Sequence, residues 1–150
     1  MNKKIIIFAI SICTSIMVYS CQHVSGTYVS SHGSMAGRSM NNNCMDCHKT
    51  GATEGGFTIG GTVFKSDSVT RYPNGTVYLY SGPYGTDSLI ATVEVDGVGN
   101  FYTTHQFDLS KGVYPVVVSS MGNKAYMQTV LTNGACNSCH GVTQAHIVVN

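Results

Sequence analysis

Residues 88–104 read SLIATVEVDGVGNFYTT, and this stretch decides the fold class. Its first part, Ser88–Val95, alternates apolar and polar side chains near its end, which is the two-residue period of a half-buried β-strand. The tetrapeptide DGVG at 96–99 follows, and Asp-Gly between two such runs signals a tight turn. A second β-rich run, Gly99–Thr104, comes directly after it. The stretch therefore predicts an antiparallel hairpin.

Outside this hairpin, residues 57 to about 131 contain more short β-rich runs, each bounded by turn residues. These runs are Phe57–Phe64, Thr76–Ser81, Val113–Ser120 and Lys124–Leu131. The alternation predicts that Val77 and Leu79 lie on one face of their strand. It predicts likewise that Ala91, Val93 and Val95 share one face of theirs. The region has no sustained helical period. Six or seven short strands at this spacing predict an all-β fold, a small antiparallel β-sandwich.

The order of short motifs along these strands resembles that of carboxypeptidase-regulatory-like or prealbumin-like domains. Their pattern runs G-x-V, P-x-x-x-V-x-L, D-G-x-G-x-F and Y-x-V. The matching residues are Gly61–Val63, Pro73–Leu79, Asp96–Phe101 and Tyr114–Val116. The resemblance covers about half of the chain and implies a prealbumin-like or immunoglobulin-like sandwich. It implies no chemistry, because function lies in sites that are added to a fold.

The composition is that of a folded protein with an unusual content of Cys and His. The chain has 150 residues, which fits one domain, and it is 43% hydrophobic and 10% charged, too apolar for a disordered chain. A formal net charge of +1 provides no basic excess for nucleic acid. Six Cys and six His make metal, haem or disulfide chemistry the first question.

The first 20 residues have the layout of a bacterial-type export signal. Two lysines precede Ile5–Val18, a near-continuous apolar run that is too short to span a bilayer comfortably. Residues 18–21, VYSC, resemble a lipobox, at which a signal is cut before a Cys that is then acylated. We therefore predict a signal peptide over 1–20 and lipidation at Cys21. Ordinary signal cleavage also fits these residues.

Lipidation would hold the protein at a membrane surface without spanning the bilayer. It would also account for Cys21, which is otherwise an odd thiol in an oxidising compartment. Residues 21–40 are rich in Ser, Gly, Asn, Met and His without a period, so we expect a tether there and the folded domain over 41–150. The protein is expected to be an outer-membrane or cell-surface lipoprotein, or a periplasmic or extracellular one.

Two copies of C-x-x-C-H carry the chemistry: CMDCH at 44–48 and CNSCH at 136–140. This is the attachment pattern of c-type haem. Two thiols three positions apart can each add to one vinyl group of the haem, and the following His then becomes a ligand of the iron. The predicted cofactor-binding residues are Cys44, Cys47, His48, Cys136, Cys139 and His140.

Three other interpretations fit the paired cysteines. Four thiolates could bind one zinc ion, although extracellular thiols tend to oxidise first. Structural disulfides within or between the pairs suit an exported protein. A thioredoxin-like C-x-x-C is the third, although no βαβ pattern surrounds either pair. Neither zinc nor a disulfide requires His directly after both pairs, which favours haem.

The segment from His32 through Gly37 to His48 resembles the H-x4-G-x6-C-x-x-C-H layout of exported multihaem c-type cytochromes. The segment GACNSCHG at 134–141 resembles the ending of those proteins. The resemblance implies an electron-transfer lipoprotein that carries two haem c groups per chain, one at each end of a β-sandwich. It implies no enzymatic activity. The implied partners are redox proteins, other cytochrome subunits among them, and a membrane through the lipid anchor, with no nucleic acid.

Under the haem interpretation, His48 and His140 bind iron on the proximal side. The candidates for the sixth ligand are His32, His146 and His105, with Met35, Met40, Met121 and Met127 as thioether alternatives. His32 leads into the first motif, His146 closely follows the second, and His105 follows a predicted strand. Each also fits a solvent-exposed loop residue, and His146 fits the start of a last strand at 146–149. Two His ligands give a lower potential than His and Met.

A binding module without haem is the alternative function. In that case the prealbumin-like sandwich binds carbohydrate or another protein, and the four Cys of the two motifs form two disulfides. This alternative predicts a colourless protein.

Overall fold

The computed structural model describes residues 42–49 and 56–150. The predicted signal peptide, the tether, the lipidation site Cys21 and the candidate ligands His32, Met35 and Met40 lie outside the described residues. Within those ranges the chain forms seven strands: β1 (Ile59–Phe64), β2 (Thr76–Gly82), β3 (Thr86–Glu94), β4 (Asn100–Thr103), β5 (Tyr114–Val118), β6 (Lys124–Tyr126) and β7 (Ile147–Val148). In the described ranges we find no helix with the length and apolar character of a membrane span.

The strands form two sheets. One has three strands in the order β4-β1-β7, and the other has four strands in the order β3-β2-β5-β6. Neighbouring strands are antiparallel except β1 and β7, which are parallel. Side chains from both sheets form one hydrophobic core. The all-β prediction is confirmed, and the two sheets are those of a sandwich.

The core contains the side chains that the alternation grouped together. In β2, Val77 and Leu79 are buried, while the residues between them are half-buried. In and after β3, Ala91, Val93 and Val95 are buried in the same core. The period of two therefore identified the inward face of both strands correctly.

The hairpin prediction for residues 88–104 is wrong in one respect. The turn forms, and the buried carboxylate of Asp96 accepts hydrogen bonds from the N–H groups of Val98 and Asn100 (both 2.9 Å). However, β3 and β4 belong to different sheets and share one isolated bridge beyond the turn, Val95 with Phe101. The carbonyl of Gly99 accepts the N–H of Val63 (2.8 Å), which joins β4 to β1 instead. The turn is therefore a corner between the sheets.

The strand predicted after β5 is shorter than expected. The run Lys124–Leu131 forms β6 over only three residues, followed by a bridge between Leu131 and Val113. The N–H of Met127 still donates to the carbonyl of Pro115 (3.0 Å), but a proline has no N–H to return the bond and continue the ladder. The predicted last strand at 146–149 is present as β7.

Candidate functional site

Strand β1 is the element around which the two C-x-x-C-H motifs are arranged. All six of its residues are buried, which is unusual for a strand of a small sandwich with one face toward solvent. Ile59 and Val63 point into the hydrophobic core. The alternate positions Gly60, Thr62 and Phe64 point outward, and residues of the motifs or next to them cover each one.

The first motif packs on the outward face of β1 at Gly60. A Cβ atom built at Gly60 would lie 3.2 Å from the Cβ of Cys44 and 3.3 Å from the Cδ2 of Phe57. A larger residue at this position would therefore push the motif away from the strand. The absence of a side chain at Gly60 allows the close approach of Cys44.

The second motif packs on the opposite face, at Gly61. A Cβ atom built there would lie 2.9 Å from the Cβ of Cys136 and 2.6 Å from the Cζ of Phe101. Cys136 is 7% exposed and belongs to the core. Because consecutive Cα atoms are about 3.8 Å apart, the first cysteines of the two motifs lie close together on either side of one strand.

Both motifs form the same local turn. Each is a single turn of 3-10 helix, at Cys44–Asp46 and Cys136–Ser138. In the first, the carbonyl of Cys44 accepts the N–H groups of Cys47 and His48. In the second, the carbonyl of Cys136 accepts the corresponding two N–H groups, and the bond from the histidine N–H is 3.0 Å in both motifs. The turn therefore presents thiol, thiol and imidazole in the same order twice.

The second motif lies beside β1, in the place that a neighbouring strand of the sheet would occupy. The N–H of Gly60 donates to the carbonyl of Gly134 (2.9 Å), and Gly60 forms a parallel bridge with Ala135. The chain then leaves this line for the motif and returns as β7, which pairs with the end of β1. Where the chain has left this line, the side-chain oxygen of Asn137 accepts the N–H of Thr62 (3.1 Å). In a continuous strand a backbone carbonyl would accept this bond.

The imidazole of His140 is held by a backbone carbonyl. Its Nδ1 lies 2.7 Å from the carbonyl oxygen of Ala145. A carbonyl can only accept, so Nδ1 donates this bond, and in the neutral imidazole Nε2 keeps its lone pair. This is the arrangement by which a second residue fixes the tautomer of a metal-binding histidine.

The imidazole of His48 is held by aromatic stacking. It lies parallel to the ring of Phe57, with centroids 4.0 Å apart and an angle of 5°. Phe57 in turn stacks on Tyr102 of β4, with centroids 4.4 Å apart. The N–H of Phe57 also donates to the carbonyl of His48 (2.7 Å). These contacts fix the plane of the His48 ring.

Among the described candidates for a sixth ligand, His146 follows the second motif most closely, six residues after His140. Its ring packs on Phe64, the third outward residue of β1, with centroids 4.3 Å apart. Its Nε2 is buried and has no hydrogen-bond partner in the described part of the chain. That atom would lie 2.7 Å from a Cβ built at Gly141, the residue after the second motif. In the tautomer that leaves Nε2 unprotonated, this buried nitrogen is a potential ligand.

The other described candidates lie in different settings. His105 is exposed after β4, with its ring 6.2 Å from that of Phe107. Met121 is 75% exposed, and Met127 is half-buried against the hydrophobic core. The setting of Met127 is that of a packing residue.

The thiols of the two first cysteines are shifted toward the neutral form. Burial raises the pKa of Cys44, and burial together with the neighbouring Cys44 raises the pKa of Cys136 to about 12. The four described cysteines are free. Across residues 42–49 and 56–150, no three His, Cys, Asp or Glu side chains are grouped to hold one metal ion.

The residues present fit covalent haem. Each turn provides two free thiols and a histidine, and at His140 the nitrogen available to iron is the one that Ala145 leaves unprotonated. Cysteine thioethers and axial histidines are the groups by which c-type haem is held. We compared the chain with models of known protein families, with curated protein sequences and with solved structures, and none of these comparisons gave a match.

Sequence reasoning missed three residues that build this site. Gly60 and Gly61 are ordinary in a strand pattern, yet they set the distance of both motifs from β1. Asn137 occupies a position of C-x-x-C-H that the haem pattern leaves open, yet its side chain completes the sheet. The double glycine inside a predicted strand was the available signal, since such glycines mark close approach of another backbone or a ligand.

Proposed function

We propose that this protein is an exported c-type cytochrome that carries two covalent haems and transfers electrons. The observation that supports it most is the repetition of one turn, with two free thiols and a histidine in the same order, on the two faces of β1. Haem would supply an iron that cycles between Fe(III) and Fe(II). The protein's own residues would hold it, orient it and limit its contact with water.

The proposed attachment residues are Cys44 and Cys47 with His48, and Cys136 and Cys139 with His140. In the second site, the hydrogen bond to Ala145 would keep the proton on Nδ1 and leave Nε2 as the nitrogen that could bind iron. In the first site, the stack on Phe57 sets the plane of the imidazole. His146 is the described residue that best suits a sixth ligand, because its Nε2 is buried and unpaired.

The cellular setting belongs to the same proposal. A signal over 1–20 and acylation at Cys21 would export the chain and anchor it to a membrane through lipid. Its partners would then be redox proteins outside the cytoplasm, including other cytochrome subunits. A covalent cofactor suits such a location because it cannot diffuse away.

Haem content and intact mass test the proposal directly. The full chain, with its first 20 residues, is expressed in a host with cytochrome c maturation. We expect two haems per chain, and one haem in each of the variants Cys47→Ser and Cys139→Ser. Ser138→Ala is the matched control, because it changes the second motif without removing a thiol, and it should retain two haems. A colourless protein with oxidised cysteines would refute the proposal and favour a disulfide-linked binding module.

A further inference from the structure

Asn137 is a buried polar residue inside the second motif. It directly follows Cys136 and is 5% exposed. A buried amide is costly unless its hydrogen-bonding groups are paired. Both ends of the Asn137 side chain are paired, and its partners come from two different parts of the chain.

Its oxygen and its nitrogen make three hydrogen bonds. The Oδ1 atom accepts the N–H of Thr62 in β1 (3.1 Å). The Nδ2 atom donates to the Oγ1 of Thr62 (3.1 Å) and to the backbone carbonyl of Asn42 (3.2 Å). Thr62 Oγ1 then donates to Asn100 Oδ1 in β4 (2.9 Å). One amide thus joins the sheet, the second motif and the segment that enters the first motif.

The bond to Asn42 links the two motifs next to their first cysteines. Asn42 lies two residues before Cys44, and Asn137 lies one residue after Cys136. The corresponding position in the first motif is Met45, whose side chain cannot donate such a bond. The other open position of the second motif, Ser138, makes a local hydrogen bond with the carbonyl of Ala135 (2.6 Å).

We infer that Asn137 is a positioning residue that holds the first motif against β1 and so fixes the distance and orientation between the two motifs. The positioning role rests on the hydrogen bonds alone. Its consequence for electron exchange between the haems rests on the proposed function, because exchange between two redox centres depends steeply on their separation.

Two variants of Asn137 separate its bonds. Asn137→Asp has nearly the same size and keeps an acceptor for the N–H of Thr62, but it can donate neither to Asn42 nor to the Oγ1 of Thr62. Asn137→Ala removes all three bonds and is the more disruptive change. Ser138→Ala is the matched control, because it removes a hydrogen bond within the same turn and none between the motifs.

Backbone amide exchange tests the positioning role with or without haem. In Asn137→Asp we expect the amides of residues 42–49 to exchange about tenfold faster, which corresponds to the loss of the hydrogen bond between Asn137 and Asn42. The amides of β1 should change little, and Ser138→Ala should match the wild type. Unchanged exchange at 42–49 in Asn137→Asp, or an equal increase in Ser138→Ala, would overturn the inference.

Circular dichroism in the Soret band tests the consequence for the haems. Two close haems produce a paired positive and negative signal whose size depends on their distance and relative orientation. We expect this signal to fall by at least half in Asn137→Asp while both haems remain attached. A signal equal to that of the wild type would contradict the inference. Absence of haem in the wild type would refute the proposed function, and amide exchange would still decide the role of Asn137.

Discussion

The two C-x-x-C-H motifs share one turn but differ in what surrounds it. The second motif lies along the line of a strand, between the bond of Gly60 to Gly134 and the return of the chain as β7, and its Cys136 is part of the core. The first motif is half-exposed and contacts the sheet through Cys44 and Phe57. Local sequence therefore sets the turn, and the sheet sets how rigidly the turn is held.

The two histidines differ in the same way. A hydrogen bond to Ala145 fixes the tautomer and the direction of His140. Stacking on Phe57 fixes the plane of His48, and rotation within that plane is left to other contacts. Because Cys136 belongs to the core and Cys44 is only half-buried, the second motif is the more preorganised of the two, and each variant below should affect the motifs unequally.

The largest effect is expected from Gly134→Ala. Gly134 packs against the backbone of Thr58 and Ile59, and a Cβ atom there would lie 2.6 Å from the Cα of Ile59. Backbone atoms cannot move aside as a flexible side chain can, so the substitution must separate the second motif from β1. We expect the free energy of unfolding to fall by about 3 kcal/mol, measured by urea denaturation.

Gly97→Ala is the matched control for this substitution. A Cβ atom at Gly97, in the turn before β4, would meet no atom within 4 Å. Its effect should stay within about 0.5 kcal/mol, as is usual for exposed positions. Equal losses in the two variants would show that the second motif does not pack closely beside β1 at Gly134.

The next-largest effect is a loss of stability at alkaline pH. It is expected from the second motif, because the thiol of Cys136 is buried. Burial raises the pKa of Cys136 from 9.0 to about 12. Between these values the unfolded chain releases this proton and the folded chain keeps it, so stability falls as pH rises through this range. Urea denaturation of the haem-free protein should show that the free energy of unfolding falls from about pH 8 upward. This fall should be smaller in Cys136→Ala.

Cys139→Ala is the control, because Cys139 lies in the same motif but is exposed. It should lose stability with pH as the wild type does. In the haem-loaded protein the sulfur of Cys136 would be a thioether without a proton, and its part of the pH dependence should disappear. An identical pH dependence in Cys136→Ala and the wild type would show that Cys136 is not buried as a thiol.

The sequence predicted the parts of the molecule that depend on local chemistry. Alternation identified Val77 and Leu79 as core residues, and the motif spacing identified both turns. It did not predict that β3 and β4 would separate into different sheets, because that depends on the pairing of β4 with β1, whose residues lie far apart in the chain. Long-range partners of this kind are not encoded in any local pattern.

The same limit applies to the candidate site. The haem pattern specified three residues at each motif, and nothing in it indicated that both motifs meet at β1. That meeting depends on Gly60 and Gly61, which provide space, and on Asn137, which provides hydrogen bonds to partners distant in sequence. Haem chemistry does not specify which residue stands at position 137. The role of the buried amide there therefore depends on partners that only the folded chain brings together.

The smallest effect is expected from Phe57→Leu, which acts on the less rigid motif. The substitution keeps an apolar side chain but removes the stacks with His48 and Tyr102. Aromatic pairs contribute about 1 kcal/mol beyond the area they bury, so we expect a loss of about 1 kcal/mol in the free energy of unfolding. Phe107→Leu is the control, since Phe107 is also half-buried and its ring is tilted against His105 at 6.2 Å.

Phe57→Leu could shift the potential of one haem or of both. Which of these occurs decides whether the stack orients His48 or only contributes packing. In the haem-loaded protein, a redox titration should show one midpoint potential shifted and the other unchanged, because Ala145 still holds His140. Phe57→Tyr keeps a ring in the stack and should leave both potentials close to those of the wild type. Equal shifts of both potentials in Phe57→Leu would mean that the two motifs respond as one unit, and the distinction between a rigid and an adjustable motif would then be wrong.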